Sequence, residues 1–198
     1  MPPIRRISFV SAALRAACAP CIVVAIAVLV IGALGSSAAD ALRYERSAVL
    51  QGEFWRLVTG NLAHIGPAHL AINLAGLALV CGLYPKTLTA RQWLATLFIC
   101  ALTVTLGLLV FSPQIAWYVG LSGVLHGLFV AGALAQLRHG RRSAYVYLVL
   151  IGAKLAVELV WGSAAEVSTL IGGDVIVVAH FYGAIGGFTG LAFSLRKY

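Results

Sequence analysis

The chain has 198 residues, 61% of them hydrophobic and only 10% charged, with a mean hydropathy of +0.97. That balance excludes a water-soluble globule with a polar skin. The net charge of +8 comes from short scattered clusters whose placement follows membrane topology, so it gives no reason to invoke nucleic acid.

A bilayer core of about 30 Å takes roughly 20 helical residues to cross. Apolar runs of that order stand at 16–35, 68–84, 93–111, 121–137, 144–161 and 175–195. They predict an all-α polytopic membrane protein of six spans, folded as one domain over 1–198 with no repeats and no soluble appendage. The first run follows Arg5, Arg6 and Arg15 and precedes Ala39-Asp40-Ala41, which imitates a signal peptide with its cleavage site. A signal-peptide core is typically about 7–15 residues, so the longer run is expected to be a retained span. Arg5-Arg6 is likewise a weak twin-arginine signal in a chain with further spans.

If the chain starts inside, Arg5, Arg6, Arg15, Lys86, Arg91, Arg138, Arg141, Arg142, Arg196 and Lys197 share one side. Arg43, Arg46 and Arg56 lie on the other, with Asp40, Glu45, Glu53, Glu166 and Asp174. The positive-inside rule makes the first side cytoplasmic, with both termini there. Cys18, Cys21, Cys81 and Cys100 then avoid the outer loops, and they read as small apolar residues.

Spans two, four and six all run from outside to inside, so their first turns share one depth. Near these heads stand His64, His69 and Asn73, then Ser122, then His180. Polar side chains suited to acyl transfer thus converge from segments far apart in sequence. From Leu121 to Arg138 a helix covers roughly 27 Å at about 1.5 Å per residue, slightly less than the hydrocarbon core. Held inside by Arg138, Arg141 and Arg142, its head falls below the outer surface. The uncharged stretch Ser112–Val119 before it is tolerable there only if buried or lining a water cavity. Gly183 with Gly187, and Gly186 with Gly190, form small-residue ridges on span six, while Gly120, Gly123 and Gly127 thin the head of span four. Close helix approach beside the serine and the histidine is therefore possible.

Gly-Leu-Ser-Gly at 120–123, Trp55-Arg56 in the first outer loop, His64, His69 and Asn73 in order, and Ala179-His180 followed by Gly183 and Gly187 together resemble the rhomboid family of intramembrane serine proteases. The resemblance runs from about Trp55 to the C-terminus. It implies Ser122 as nucleophile and His180 as general base, a dyad with no acidic third member; Asp174 falls at the outer boundary and Glu158 belongs to span five. It implies an oxyanion hole from His69, Asn73 and the Ser122 N–H, a structural role for His64, and an interface-dipping loop around Trp55 and Arg56. No cofactor and no metal are implied, and the partners are transmembrane substrates in the lipid bilayer. The setting is a bacterial inner membrane with the site facing the periplasm.

Many rhomboids carry a tyrosine where this chain has His126, four residues after Ser122 and on the same helix face. His126 either stacks on His180 as that tyrosine does or adds a second titrating group. With it, the Gly-x-Ser-Gly-x-x-His-Gly pattern resembles the rhombosortase branch, whose inferred substrates are exported proteins ending in a Gly-Gly motif, a transmembrane helix and a basic tail. Lys154 and Glu158, one turn apart in span five, form either a structural pair or a recognition point for a charged substrate end.

Other classes fit less well. A transporter could use intramembrane His, Lys and Glu as a relay but does not require this serine opposite this histidine. A metalloprotease lacks its His-Glu-x-x-His, and a soluble hydrolase lacks the strand and elbow around its serine. A rhomboid pseudoprotease, binding membrane clients without cutting, typically lacks the nucleophile or the base, and this chain has both.

Overall fold

The computed structural model describes residues 4–84 and 87–195, with side chains from 19 to 193 within them. Arg5, Arg6, Arg15 and Cys18 lie where only the backbone is described, and Lys86, Arg196 and Lys197 lie outside the described residues. The long helices are α1 (Ile4–Ala33), α5 (Pro67–Leu83), α6 (Ala90–Phe111), α7 (Ser122–Arg138), α8 (Ala144–Trp161) and α10 (Val177–Leu195). Each overlaps an apolar run read from the sequence, and the protein is an all-α membrane bundle. By length and composition α6 and α8 are able to cross a membrane. On α8 the large side chains of Val146, Val149, Leu150, Val157 and Val160 are exposed, as expected of a helix whose surroundings are lipid.

One local difference from the sequence reading has a physical cause. α1 starts well before the apolar run does, because polar residues limit how deep a helix sits in lipid without breaking it. The outer loop folds into short helices α2 (Ser36–Leu42), α3 (Arg46–Leu50) and α4 (Arg56–Thr59), with α9 (Ala165–Ile171) between α8 and α10. A two-residue strand β1 (Tyr44–Glu45) pairs antiparallel with β2 (Trp117–Tyr118), tying this loop to the segment that enters α7.

The cysteine reading is corrected. Cys21 of α1 and Cys81 of α5 are joined by a disulfide, whereas Cys100 is free and buried. No spacing rule connects residues 60 apart in sequence, so the pairing carries no signal in the chain.

α10 is the central helix, packed along α6 and α7. Its two glycine ridges face different neighbours. A methyl group on Gly183 would collide with the Gly123 carbonyl, and one on Gly187 with the Gly127 carbonyl, so α7 and α10 meet backbone to backbone. Gly186 and Gly190 instead lie against Cys100, Thr103 and Thr96 of α6. Apolar tails offer no hydrophobic drive for helices to associate in lipid, so such close packing supplies much of the attraction. Beneath it, Leu121 at the head of α7 and Val124, Leu128 and Ala131 within it join Leu77 and Val80 of α5 in the main core.

Gly183→Ala and Gly187→Ala are each expected to destabilise the bundle by about 1–3 kcal/mol, the usual range for overpacking. Gly152→Ala on α8, where an added methyl meets nothing within 4 Å, is the control and should leave thermal unfolding in detergent unchanged. Equal unfolding curves for all three variants would contradict the close α7–α10 contact.

Candidate active site

Ser122 is the first residue of α7, and its N–H therefore belongs to the helix's unpaired first turn. The turn that delivers it depends on Gly120, which has φ 126°. A side chain there would be strained and would also strike the His69 ring at 2.8 Å. Gly120 N–H donates to the Gly60 carbonyl at 3.1 Å, and the buried Tyr118 hydroxyl donates to the Gly120 carbonyl at 2.7 Å. Burial raises the Tyr118 hydroxyl to about 12, so it stays a donor at neutral pH.

His180 stands in the first turn of α10, and its Nε2 lies 3.0 Å from Ser122 Oγ. Its other ring nitrogen is also engaged: Nδ1 lies 2.8 Å from Glu158 Oε2. The expected absence of an acidic partner for this histidine is therefore corrected. α8 runs opposite to α7 and α10, so its last turn reaches the depth of their first turns, and Glu158 sits one turn from the end of α8. The alternating direction of the spans carries the depth of Glu158 in the sequence, but not the way it faces around α8.

The remaining polar residues surround this pair. His126 stacks on His180, with centroids 4.1 Å apart and planes 11° from parallel. Its Nδ1 lies 2.7 Å from the Ser122 carbonyl, and its Nε2 lies 3.1 Å from Lys154 Nζ. Lys154 also reaches Glu158 Oε1 at 2.5 Å. His126, Glu158 and His180 place potential ligand atoms within 4.8 Å of one another. These atoms are already paired in hydrogen bonds, and the Lys154 ammonium supplies the positive charge between them.

His69 and Asn73 are buried in the first two turns of α5. Asn73 Nδ2 donates to the His69 carbonyl at 2.9 Å, which leaves its second N–H for another acceptor. Both residues share with Ser122, His126 and His180 a cavity of about 880 Å³ that extends between α5 and α8 past Ile72, Leu79 and Ile151. Gly123 and Gly183 stand directly behind the serine at the α7–α10 contact.

Among the described residues, Trp55, Arg56 and His64 do not line this cavity. Arg56 binds Glu53 at 2.6 Å and the carbonyls of Asp40 and Arg43 at 3.0 and 2.8 Å, which closes the outer loop on itself. Trp55 beside it is 53% exposed. The His64 ring meets that of His69 edge to face, centroids 5.0 Å apart, and its Nδ1 donates to the Leu62 carbonyl at 3.1 Å. His64 thus supports the ring of His69 from behind.

A hydroxyl paired with a histidine that is itself paired with a carboxylate, all within a helical membrane bundle, is an arrangement able to activate a nucleophile. Residues 51–197 match the family model described as Rhomboid domain, and the chain belongs to the rhomboid family. It is 32% identical over 146 residues to Rhomboid protease GluP of Bacillus subtilis (strain 168), covering 73% of this chain and 27% of that protein. It is 28% identical over 148 residues to "Putative rhomboid protease YdcA" of the same strain, covering 71% of this chain and 67% of that protein. The chain thus spans about a quarter of the first relative and two thirds of the second.

Burial, and secondarily the neighbouring His69, lowers the His64 pKa from an ordinary 6.5 to about 4. The unfolded chain binds this proton at higher pH than the folded one, so stability is full above pH 6.5 and falls as pH drops towards 4. At about 1.4 kcal/mol per pH unit the loss reaches ~3 kcal/mol. Denaturant unfolding in detergent at pH 7 and pH 4.5 should show it, and His64→Gln should reduce the difference.

Proposed function

We propose that this protein is an intramembrane serine endopeptidase, a hydrolase that cuts transmembrane or C-terminally anchored exported proteins at the outer end of a membrane helix. The observation that carries the reading is the 3.0 Å contact between His180 Nε2 and Ser122 Oγ, set beside a cavity that opens between helices α5 and α8. Ser122 attacks the scissile carbonyl while its proton passes to His180. The tetrahedral oxyanion is received by the Ser122 N–H at the positive end of α7, by the free N–H of Asn73, and by His69. Collapse breaks the C–N bond, with His180 returning the proton to the leaving amine. Water, deprotonated by the same imidazole, then hydrolyses the acyl-enzyme.

The roles assigned to Ser122, His180, His69 and Asn73 rest on this geometry together with family membership. The single domain is read as a six-span bundle of a bacterial inner membrane, termini inside and the site facing the periplasm, as the basic residues argue. Trp55 at the surface of the folded outer loop fits an interfacial position. The substrates are proposed to be those of the rhombosortase branch, proteins whose C-terminal tail joins a Gly-Gly motif to a membrane helix. His126, stacked under His180, is the residue that favours that branch. A client-binding pseudoprotease is the alternative, and an intact, hydrogen-bonded Ser122–His180 pair argues against it.

Co-expression with a periplasmic reporter carrying a Gly-Gly, helix and basic tail tests the reading on immunoblots. Cleavage is expected with wild type and lost with Ser122→Ala and with His180→Ala. Asn73→Ala should retain only about one part in 10²–10³ of the rate, the usual cost of an oxyanion donor. A reporter with the Gly-Gly replaced should be cut poorly; equal cutting of both reporters would remove the proposed substrate preference.

A further inference from the structure

Glu158 and Lys154 are placed at the hydrolytic site by their hydrogen bonds rather than by any motif. We propose that Glu158 is the positioning residue of His180, and that Lys154 and His126 close a polar circuit that holds Glu158 and His180 in a single protonation pattern. This rests on the protease reading above and adds to it the groups that orient its base.

The pattern follows from the acceptors. The Ser122 carbonyl can only accept, so His126 Nδ1, 2.7 Å away, carries a proton. His126 Nε2 then offers a lone pair, which the Lys154 ammonium satisfies at 3.1 Å. Lys154 gives a second N–H to Glu158 Oε1 at 2.5 Å. The second carboxylate oxygen accepts from His180 Nδ1 at 2.8 Å, which fixes that proton on Nδ1. His180 Nε2 is left with a lone pair aimed at Ser122 Oγ at 3.0 Å, as a general base requires. In the opposite tautomer, the Nδ1 lone pair would face a carboxylate oxygen and Nε2 would have nothing with which to take the seryl proton.

Charge is balanced at each stage. Before attack, Lys154 and Glu158 neutralise each other, which makes a carboxylate tolerable at membrane depth, where a lone charge is costly. When Ser122 Oγ bonds to the carbonyl carbon, its proton moves to His180 Nε2. The new imidazolium then lies against Glu158 while the negative charge develops on the substrate oxygen, and the site as a whole remains neutral. Charge-assisted hydrogen bonds of this kind are roughly twice as strong as neutral ones. Stacking by His126 at 4.1 Å keeps the His180 ring in the plane that serves both its partners. A recognition role for Lys154 is disfavoured because its Nζ is already committed to His126 and Glu158, although its side chain is 48% exposed.

The test uses the purified full-length protein in detergent with a transmembrane peptide substrate. Glu158→Gln preserves shape but removes the obligate acceptor, and kcat is expected to fall by at least about 100-fold and towards ~10⁴, the loss known for carboxylate-to-amide changes in soluble serine proteases. KM should stay within about twofold, and Glu158→Asp should recover part of kcat. Lys154→Met should lower kcat by less than Glu158→Gln does. Nitrogen NMR of ¹⁵N-histidine protein, with His180 assigned by difference against His180→Ala, should show the Nδ1–H tautomer in wild type. That spectrum needs no variant of Glu158 to fold. An Nε2–H tautomer in wild type, an unchanged kcat in Glu158→Gln, or a rise in KM alone would each overturn the proposal. If Ser122→Ala still cleaves, the protease reading fails first; if Ser122→Ala is dead and Glu158→Gln is fully active, only the positioning role fails.

Discussion

A serine, two histidines, a lysine and a glutamate gathered among apolar helices must satisfy one another, because an unpaired polar or charged group is costly in such surroundings. The chain running from Lys154 through Glu158 and His180 to Ser122, with His126 bridging Lys154 to the Ser122 carbonyl, meets that demand. It does so only if α7, α8 and α10 are locked at fixed depth. The glycine-mediated contact of α10 with α7 provides the lock, since Gly183 and Gly187 bring the two backbones together and so place His180 beside Ser122. Packing and site geometry are thus one constraint: a methyl group on Gly183 or Gly187 would collide with the α7 backbone that holds Ser122 beside His180.

The outer loop extends the constraint to the entrance. The β1–β2 pairing, the Arg46 N–H to Ala116 carbonyl bond at 2.8 Å and the Gly120 to Gly60 bond at 3.1 Å tie loop to helix head. Asn61 and Thr105 then anchor the same region to α6, through the Ala101 and Leu57 carbonyls. The irregular backbone before Ser122 is thereby paired internally, which is the condition for placing it below the membrane surface. The wall towards α5 and α8 is apolar and lightly packed, and there the cavity opens.

Much of this was legible in the sequence because membrane helices announce themselves by length and hydropathy. The long helices fall on the apolar runs, and alternation of direction brings the heads bearing His69, Asn73, Ser122 and His180 together. The paired glycine ridges were readable as close-approach surfaces, though which ridge faces α6 and which faces α7 depends on helix rotation that periodicity alone does not set. The short loop helices were not legible, since α2, α3 and α4 are too brief to show a period and are held by tertiary contacts such as those of Arg56. The Cys21–Cys81 bond lay hidden because it joins separate helices. The contact of Glu158 with His180 was missed for a different reason. Its depth followed from topology, but the direction in which it faces around α8 did not, and an expected dyad left no role for a carboxylate.

The central claim is that Ser122 is an activated nucleophile, and the most direct measurement is peptide mapping by mass spectrometry after fluorophosphonate treatment of the purified protein in detergent. The account predicts a single phosphonylated residue, Ser122, with the adduct lost in His180→Ala. Modification at another residue, or an adduct on Ser122 that persists at the same rate without His180, would contradict it.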